Sequence, residues 1–198
     1  DRGKVLSVED LNRLGLGGFK RYKDTDGDGI AWRTLPGTEH PFAAYFTRGT
    51  GHNDEARLSE RPEDWENNMA RLARKFETAR TLVPKPVEER VEGAEVGIIG
   101  YGSTDTPIIE ARHMLQGMGC KTSYMRVRAL PLSDEVTQFV HAHKHVYVVE
   151  MNSDGQMCQL LRLHVPEMAV SIRPCNHSDG MPLTAKWIST AILEKEKK

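Results

Sequence analysis

The chain has 198 residues, 38% of them apolar and 28% charged, and a net charge of −1. That length holds one ordinary domain plus a sizeable appendage, and the near-neutral balance excludes a global electrostatic footprint for nucleic acid. No apolar run approaches the roughly 20 residues that span a bilayer, and no signal peptide opens the chain, so no membrane partner and a cytoplasmic setting are expected.

The opening D-R-G-K-V-L, without an initiator methionine, reads as a fragment or a processed product. A short helix is expected from Ser7 to Leu14. Next comes K-D-T-D-G-D-G-I (Lys23 to Ile30), with aspartates at alternate positions as in the start of a calcium-binding EF-hand loop. Such a loop must close on a bidentate acid at its twelfth position and run into a helix. Here that position is Leu35, and Pro36 and Pro41 follow. This is not an EF-hand. Two readings stay open for Asp24, Asp26 and Asp28: consecutive tight turns, or a structural cation held by the three carboxylates.

The stretch Y-F-T-R-G-T-G-H-N-D-E (Tyr45 to Glu55) carries the most chemistry. Arg48 and His52 can grip a carboxylate, Thr47 and Thr50 can add hydrogen bonds, and the glycines let the backbone come close. A solvated loop is the alternative, and composition leaves the two level. From Pro62 to Arg80, the residues Trp65, Met69, Leu72, Phe76 and Ala79 recur at spacings of four and three, which draws one apolar stripe on a helix. Ser59 is its expected N-cap, and Glu63 and Asp64 suit the helix dipole. Between the two helices lies an irregular stretch of roughly 40 residues, of the kind that is often functional or draped over another subunit.

The chain changes character near Val83. V-P-K-P-V (Val83 to Val87) reads as a stiff linker, dividing a connecting segment, residues 1–90, from an α/β domain, residues 91–198. Strands are expected at 95–100, 121–127, 145–151 and 169–173. Helices are expected to open at Pro107, after Ser133, near Gln156 and at Pro182, the last carrying Trp187, Ile188 and Ile192. This alternation predicts a doubly wound, mostly parallel sheet.

Candidate sites in the α/β domain are each matched by a plainer reading. The loop G-Y-G-S-T-D (Gly100 to Asp105) joins a strand to a helix, where ligands bind in open sheets, but it lacks a third glycine and every such sheet has turns of this sort. No acidic residue ends the second strand to hold a ribose. His141, His143 and His145 have the look of a zinc cluster, yet a helix end and a strand start aim them apart. Glu150 to Gln156 could contact a ligand or cap the next helix. Cys120, Cys158 and Cys175 match no metal or redox spacing and read as reduced, buried thiols. There is no G-x-S-x-G, H-E-x-x-H or P-loop.

Six blocks in order resemble one family: D-R-G-K-V-L, R-Y-K-D-T-D-G-D-G-I-A-W-R-T-L-P-G-T, Y-F-T-R-G-T-G-H, M-A-R-L-A-R-K-F-E-T-A-R, V-V-E-M-N-S-D-G-Q and D-G-M-P-L-T-A. They are similar to the α subunit of 2-oxoacid:ferredoxin oxidoreductases, above all the 2-oxoglutarate type, from Asp1 to about Ile192. The resemblance implies oxidative decarboxylation of a 2-oxoacid to acyl-CoA, with electrons passed to ferredoxin. Thiamine diphosphate with magnesium, an iron–sulfur cluster and coenzyme A would serve the full complex.

The family's thiamine-pyrimidine domain with its Y-P-I-T-P-type loop is absent from this sequence. So are the β subunit's pyrophosphate-binding G-D-G motif and cysteine ligands; Gly27 to Gly29 reads G-D-G but lacks that motif's strand and paired asparagine. The resemblance therefore implies the C-terminal portion of an α subunit, a connecting segment followed by a domain similar to the C-terminal domain of transketolases. It would hold no cofactor alone and would be inactive alone, with a β subunit, ferredoxin and the remainder of the α subunit as partners. It also implies that Arg48, Thr50, His52, Asn53 and Asp54 reach the substrate, Arg48 or His52 pairing with a carboxylate and Asn53 or Asp54 hydrogen-bonding near the thiazolium. Family members read H-D-E or H-N-E here, where this chain has His52-Asn53-Asp54-Glu55. A stand-alone scaffold, or an α/β domain binding a small ligand, is the alternative.

Overall fold

The computed structural model describes residues 3–15, 17–45 and 51–197. The chain forms two compact units, Asp1–Leu82 and Val83–Lys198. Among the described residues no helix is long and apolar enough to cross a membrane.

The first unit opens on helix α1 (Val8–Leu14). Ser7 and Asp10 form a capping box, the Asp10 N–H donating to Ser7 Oγ and the Ser7 N–H to the Asp10 carboxylate. Leu11 anchors α1 in a small core with Leu6 and Ala43, against which Phe19 and Trp32 pack. Among the described residues, no regular structure other than isolated bridges intervenes before α2 (Pro62–Leu82). Ser59 lies outside the N-cap position. Its hydroxyl donates to Asp64 at 2.5 Å and accepts from the Arg61 N–H.

The stripe on α2 does not face this core. Trp65, Met69 and Phe76 are exposed, and the helix's one buried residue is Arg71. The face that packs is polar because its partner is backbone. Thr78 donates to the Asp28 carbonyl at 2.6 Å and Arg71 to the Gly29 carbonyl at 3.2 Å. Gly29 makes this approach possible: it sits at φ 78°, and a Cβ there would fall 2.3 Å from the Lys75 nitrogen. Periodicity located the helix, but a loop of carbonyls selects donors over apolar side chains.

The second unit is a five-stranded sheet in the order β1-β3-β2-β4-β5. The strands are β1 (Val87–Glu89), β2 (Val96–Tyr101), β3 (Thr122–Val127), β4 (His145–Glu150) and β5 (Ile172–Asn176). β1 runs antiparallel to β3; every other pair is parallel. Helices α3 (Asp105–Gly117) and α6 (Ala185–Glu196) cover one face, where Ile108, Leu115, Ile188 and Ile192 meet Ile98, Tyr147 and Val149. Helices α4 (Asp134–His141) and α5 (Gln156–His164) cover the other, where Phe139 and Leu161 meet Ile99, Met125 and Val148. Adjacent residues of one strand thus feed opposite layers, and β4 is buried on both sides, as its β-branched run predicts. The sheet is doubly wound and mostly parallel.

Several boundaries move. The units divide after Leu82 rather than at residue 90, and Val87–Glu89 joins the sheet opposite Tyr124–Arg126 instead of remaining linker. A 3-10 turn at Gly102–Thr104 lets α3 begin at Asp105. Thr184 accepts from the Trp187 N–H, so α6 starts at Ala185, beyond Pro182. A second 3-10 turn at Pro166–Met168 pushes β5 on to Ile172.

The cysteines are free thiols; Cys158 and Cys175 are buried and Cys120 half-buried. Burial pushes the Cys175 thiol up to about 11. The thiolate is the reacting species, so native protein at pH 8 should alkylate at Cys120 first, with Cys158 and Cys175 labelled only after unfolding. Mass-spectrometric mapping of iodoacetamide adducts checks this, and early labelling of Cys175 would contradict the packing.

Candidate functional site

A cleft of about 230 Å³ in the first unit gathers part of the chemistry seen in the sequence. The loop after Gly51 supplies one wall. It closes as a tight turn, with Asn53 Oδ1 accepting from the Glu55 and Arg57 N–H groups and the Ser59 N–H reaching the Gly51 carbonyl. The Tyr22 N–H donates to the Asp54 carbonyl at 2.9 Å, which brings in the second wall. His52 then stacks on Tyr22 with ring centroids 3.9 Å apart. Helix α2 forms the floor with Asn68, Arg71 and Arg74.

Both His52 nitrogens are engaged. Nδ1 donates to the Asn53 carbonyl at 3.1 Å, and Nε2 accepts from Asn68 Nδ2 at 3.4 Å. One donor and one acceptor is the pattern of a neutral ring. Asn68 is turned this way because its Oδ1 accepts from Arg71 at 2.7 Å. Arg71 itself is 9% exposed. Burial lowers the pKa of its guanidinium, with nearby Arg21 acting in the same direction.

His52, Asn53 and Asp54 therefore line one cleft, together with Asp24. Arg48 and Thr50 lie outside the described residues, as does Thr47. The Asn53 side-chain oxygen serves its own loop. Tyr22, Asn68 and Arg71 went unnoticed in the sequence. Arg71 sits in M-A-R-L-A-R, whose charges look like the wet side of an amphipathic helix, and only a contact across 42 positions reveals its place.

The three aspartates do not converge on a common point. Asp24 accepts from Arg74 and from the Gly27 and Gly29 N–H groups. Asp26 and Asp28 share the Lys4 ammonium at 2.5 and 2.6 Å, and that hydrogen bond is the chief cause holding both carboxyls below their ordinary range. Asp26 also accepts from the Trp32 indole, and Asp28 from the Ile30 N–H. Protein cations and backbone donors occupy the oxygens that a metal would need. Among the described residues no group of three or more acidic, histidine or cysteine side chains could hold a metal ion.

In the second unit the corresponding side chains bond within the fold. In the glycine loop, Thr104 Oγ1 exchanges hydrogen bonds with the Tyr101 backbone, and Asp105 pairs with Tyr124 and Arg126. Gly100 answers to packing, because a Cβ would lie 2.3 Å from Ile108 Cδ1. The histidines diverge: His141 faces Glu167, His143 the Phe139 carbonyl, and His145 lies between Glu196 and Arg173. Glu150 and Asn152 cap α5.

No family model matches the chain. The α subunit of 2-oxoacid:ferredoxin oxidoreductase 2 from Aeropyrum pernix is 30% identical over 199 residues, covering 96% of this chain and 28% of that protein. The 2-oxoglutarate:ferredoxin oxidoreductase from Magnetococcus marinus, solved with 2-oxoglutarate, coenzyme A and succinyl-CoA bound, superposes with a TM-score of 0.72. That match has 29% identity and covers 91% of this chain and 31% of the other. The chain is thus similar to part of 2-oxoacid:ferredoxin oxidoreductase α subunits. It spans less than a third of the length of these relatives. A split-gene transketolase also matches, at 20% identity and a TM-score of 0.47, too slight to support the fold by itself.

Proposed function

We propose that this chain is the C-terminal portion of the α subunit of a thiamine-diphosphate-dependent 2-oxoacid:ferredoxin oxidoreductase, acting on 2-oxoglutarate in the cytoplasm. The complex would convert the 2-oxoacid and coenzyme A into acyl-CoA and carbon dioxide, passing electrons through an iron–sulfur cluster to ferredoxin. The observation that carries this reading is the likeness to a relative over 96% of the chain. The Magnetococcus enzyme, with 2-oxoglutarate and succinyl-CoA bound, favours the five-carbon substrate.

Thiamine diphosphate, its magnesium and the cluster belong, in this reading, to the remainder of the α subunit and to a β subunit. They supply the carbanion chemistry and the electron path. This chain contributes subunit contacts and a share of the substrate pocket, through Arg48, Thr50, His52, Asn53 and Asp54. Alone it would be inactive. Native mass spectrometry of the protein from its own cells tests the assignment. A chain of several hundred residues containing this sequence, bound to a second subunit, agrees with it, and a free 22 kDa species would sink it.

A further inference from the structure

Arg71 differs from the other charged groups of the cleft. Arg74 is paired with Asp24, Asp64 accepts from the Ser59 hydroxyl, and Lys23 and Asp54 are exposed to solvent. Arg71 is buried, and its hydrogen bonds go to two uncharged acceptors, the Gly29 carbonyl and the Asn68 amide. Asp24 and Asp54 act on it through their fields. A guanidinium carries five N–H donors in a planar fork, so those two bonds leave part of the fork open. A desolvated cation with neutral partners is costly until an anion completes it, and a carboxylate matches the fork in both charge and shape.

We propose that Arg71 receives a carboxylate of the ligand in this cleft. Resting on the reading above, this is the carboxylate remote from the reacting carbonyl of a dicarboxylic 2-oxoacid. The carbanion chemistry belongs to thiamine diphosphate elsewhere in the complex, so this cleft grips the end of the substrate that does not react. His52, with both ring nitrogens committed, forms a wall of the site and supplies no charge. Asn68 is a positioning residue: bonded to Arg71, it presents its amide hydrogens to His52.

The test uses the assembled complex and two substrates, 2-oxoglutarate and pyruvate. Arg71→Gln is expected to lower kcat/KM for 2-oxoglutarate at least about tenfold while changing that for pyruvate, whatever its wild-type level, by less than about twofold. Arg71→Lys, which keeps the charge but loses the fork, should fall between. A purely structural role would depress both substrates alike, and an unchanged ratio in a folded variant overturns the proposal. Should Arg71→Gln fail to assemble, a structure of the wild-type complex with 2-oxoglutarate decides: a carboxylate on Arg71 supports the subsite, and one bound elsewhere overturns it. A wild-type complex that oxidises no 2-oxoacid would instead defeat the functional reading on which the subsite rests.

Discussion

Replacing Gly29 by alanine is expected to detach the aspartate loop from α2 and to cost the first unit about 2–4 kcal/mol. Two effects add. Gly29 sits at φ 78°, where an L-residue carries about 1–2 kcal/mol of strain. The new Cβ would also lie 2.3 Å from the Lys75 nitrogen and 2.6 Å from the Arg71 carbonyl oxygen, both helix backbone that cannot swing aside. The loop must therefore retreat, and it takes with it the bonds from Thr78 to Asp28 and from Arg71 to Gly29. Amide exchange at residues 24–30 and a urea titration of the first unit give the readout. Wild-type exchange and an unmoved midpoint would show that the loop does not rest on the helix.

The second large effect is expected at Glu150. The side chain is fully buried at the C-terminal end of β4. Its carboxylate accepts from the Met157 and Cys158 N–H groups, from Asn152 Nδ2 and from the Tyr101 hydroxyl. The first two are orphan donors at the start of α5, whose dipole also favours a negative charge there. Glu150→Ala leaves these donors buried without an acceptor, at about 1–3 kcal/mol for each group, and opens a void. A total of about 3–5 kcal/mol follows, the range for breaking a buried polar network. Glu150→Gln keeps one acceptor oxygen and should lose roughly half as much. Guanidinium titrations of the two variants, followed by exchange at α5, measure the difference. Equal stability of both with the wild type would remove the cap from this account.

The α/β half was legible because its elements agree at every level. H-V-Y-V-V-E is buried on both faces, and the turns between elements carry their own glycines and caps, so local pattern and tertiary structure coincide. The errors there are shifts of a few residues at 3-10 turns, and a three-residue strand hidden among prolines. The first unit was harder to read. Its helix was visible from Trp65, Met69, Leu72 and Phe76, but the direction of packing was not, because the partner is a loop whose carbonyls call for Arg71 and Thr78.

The candidate site divides in the same way. His52, Asn53 and Asp54 stood out as polar groups among glycines. Arg71, Asn68 and Tyr22 reach them only through contacts between distant parts of the chain. The aspartate triplet announced hard oxygens, and Lys4 and Arg74, far away in sequence, pair with them.

The most direct test of the account is an assay of the complex isolated from its own cells through a tag on this chain. Reduction of ferredoxin that requires both 2-oxoglutarate and coenzyme A is the predicted result. A complex that carries no such activity with 2-oxoglutarate or any other 2-oxoacid would contradict the assignment.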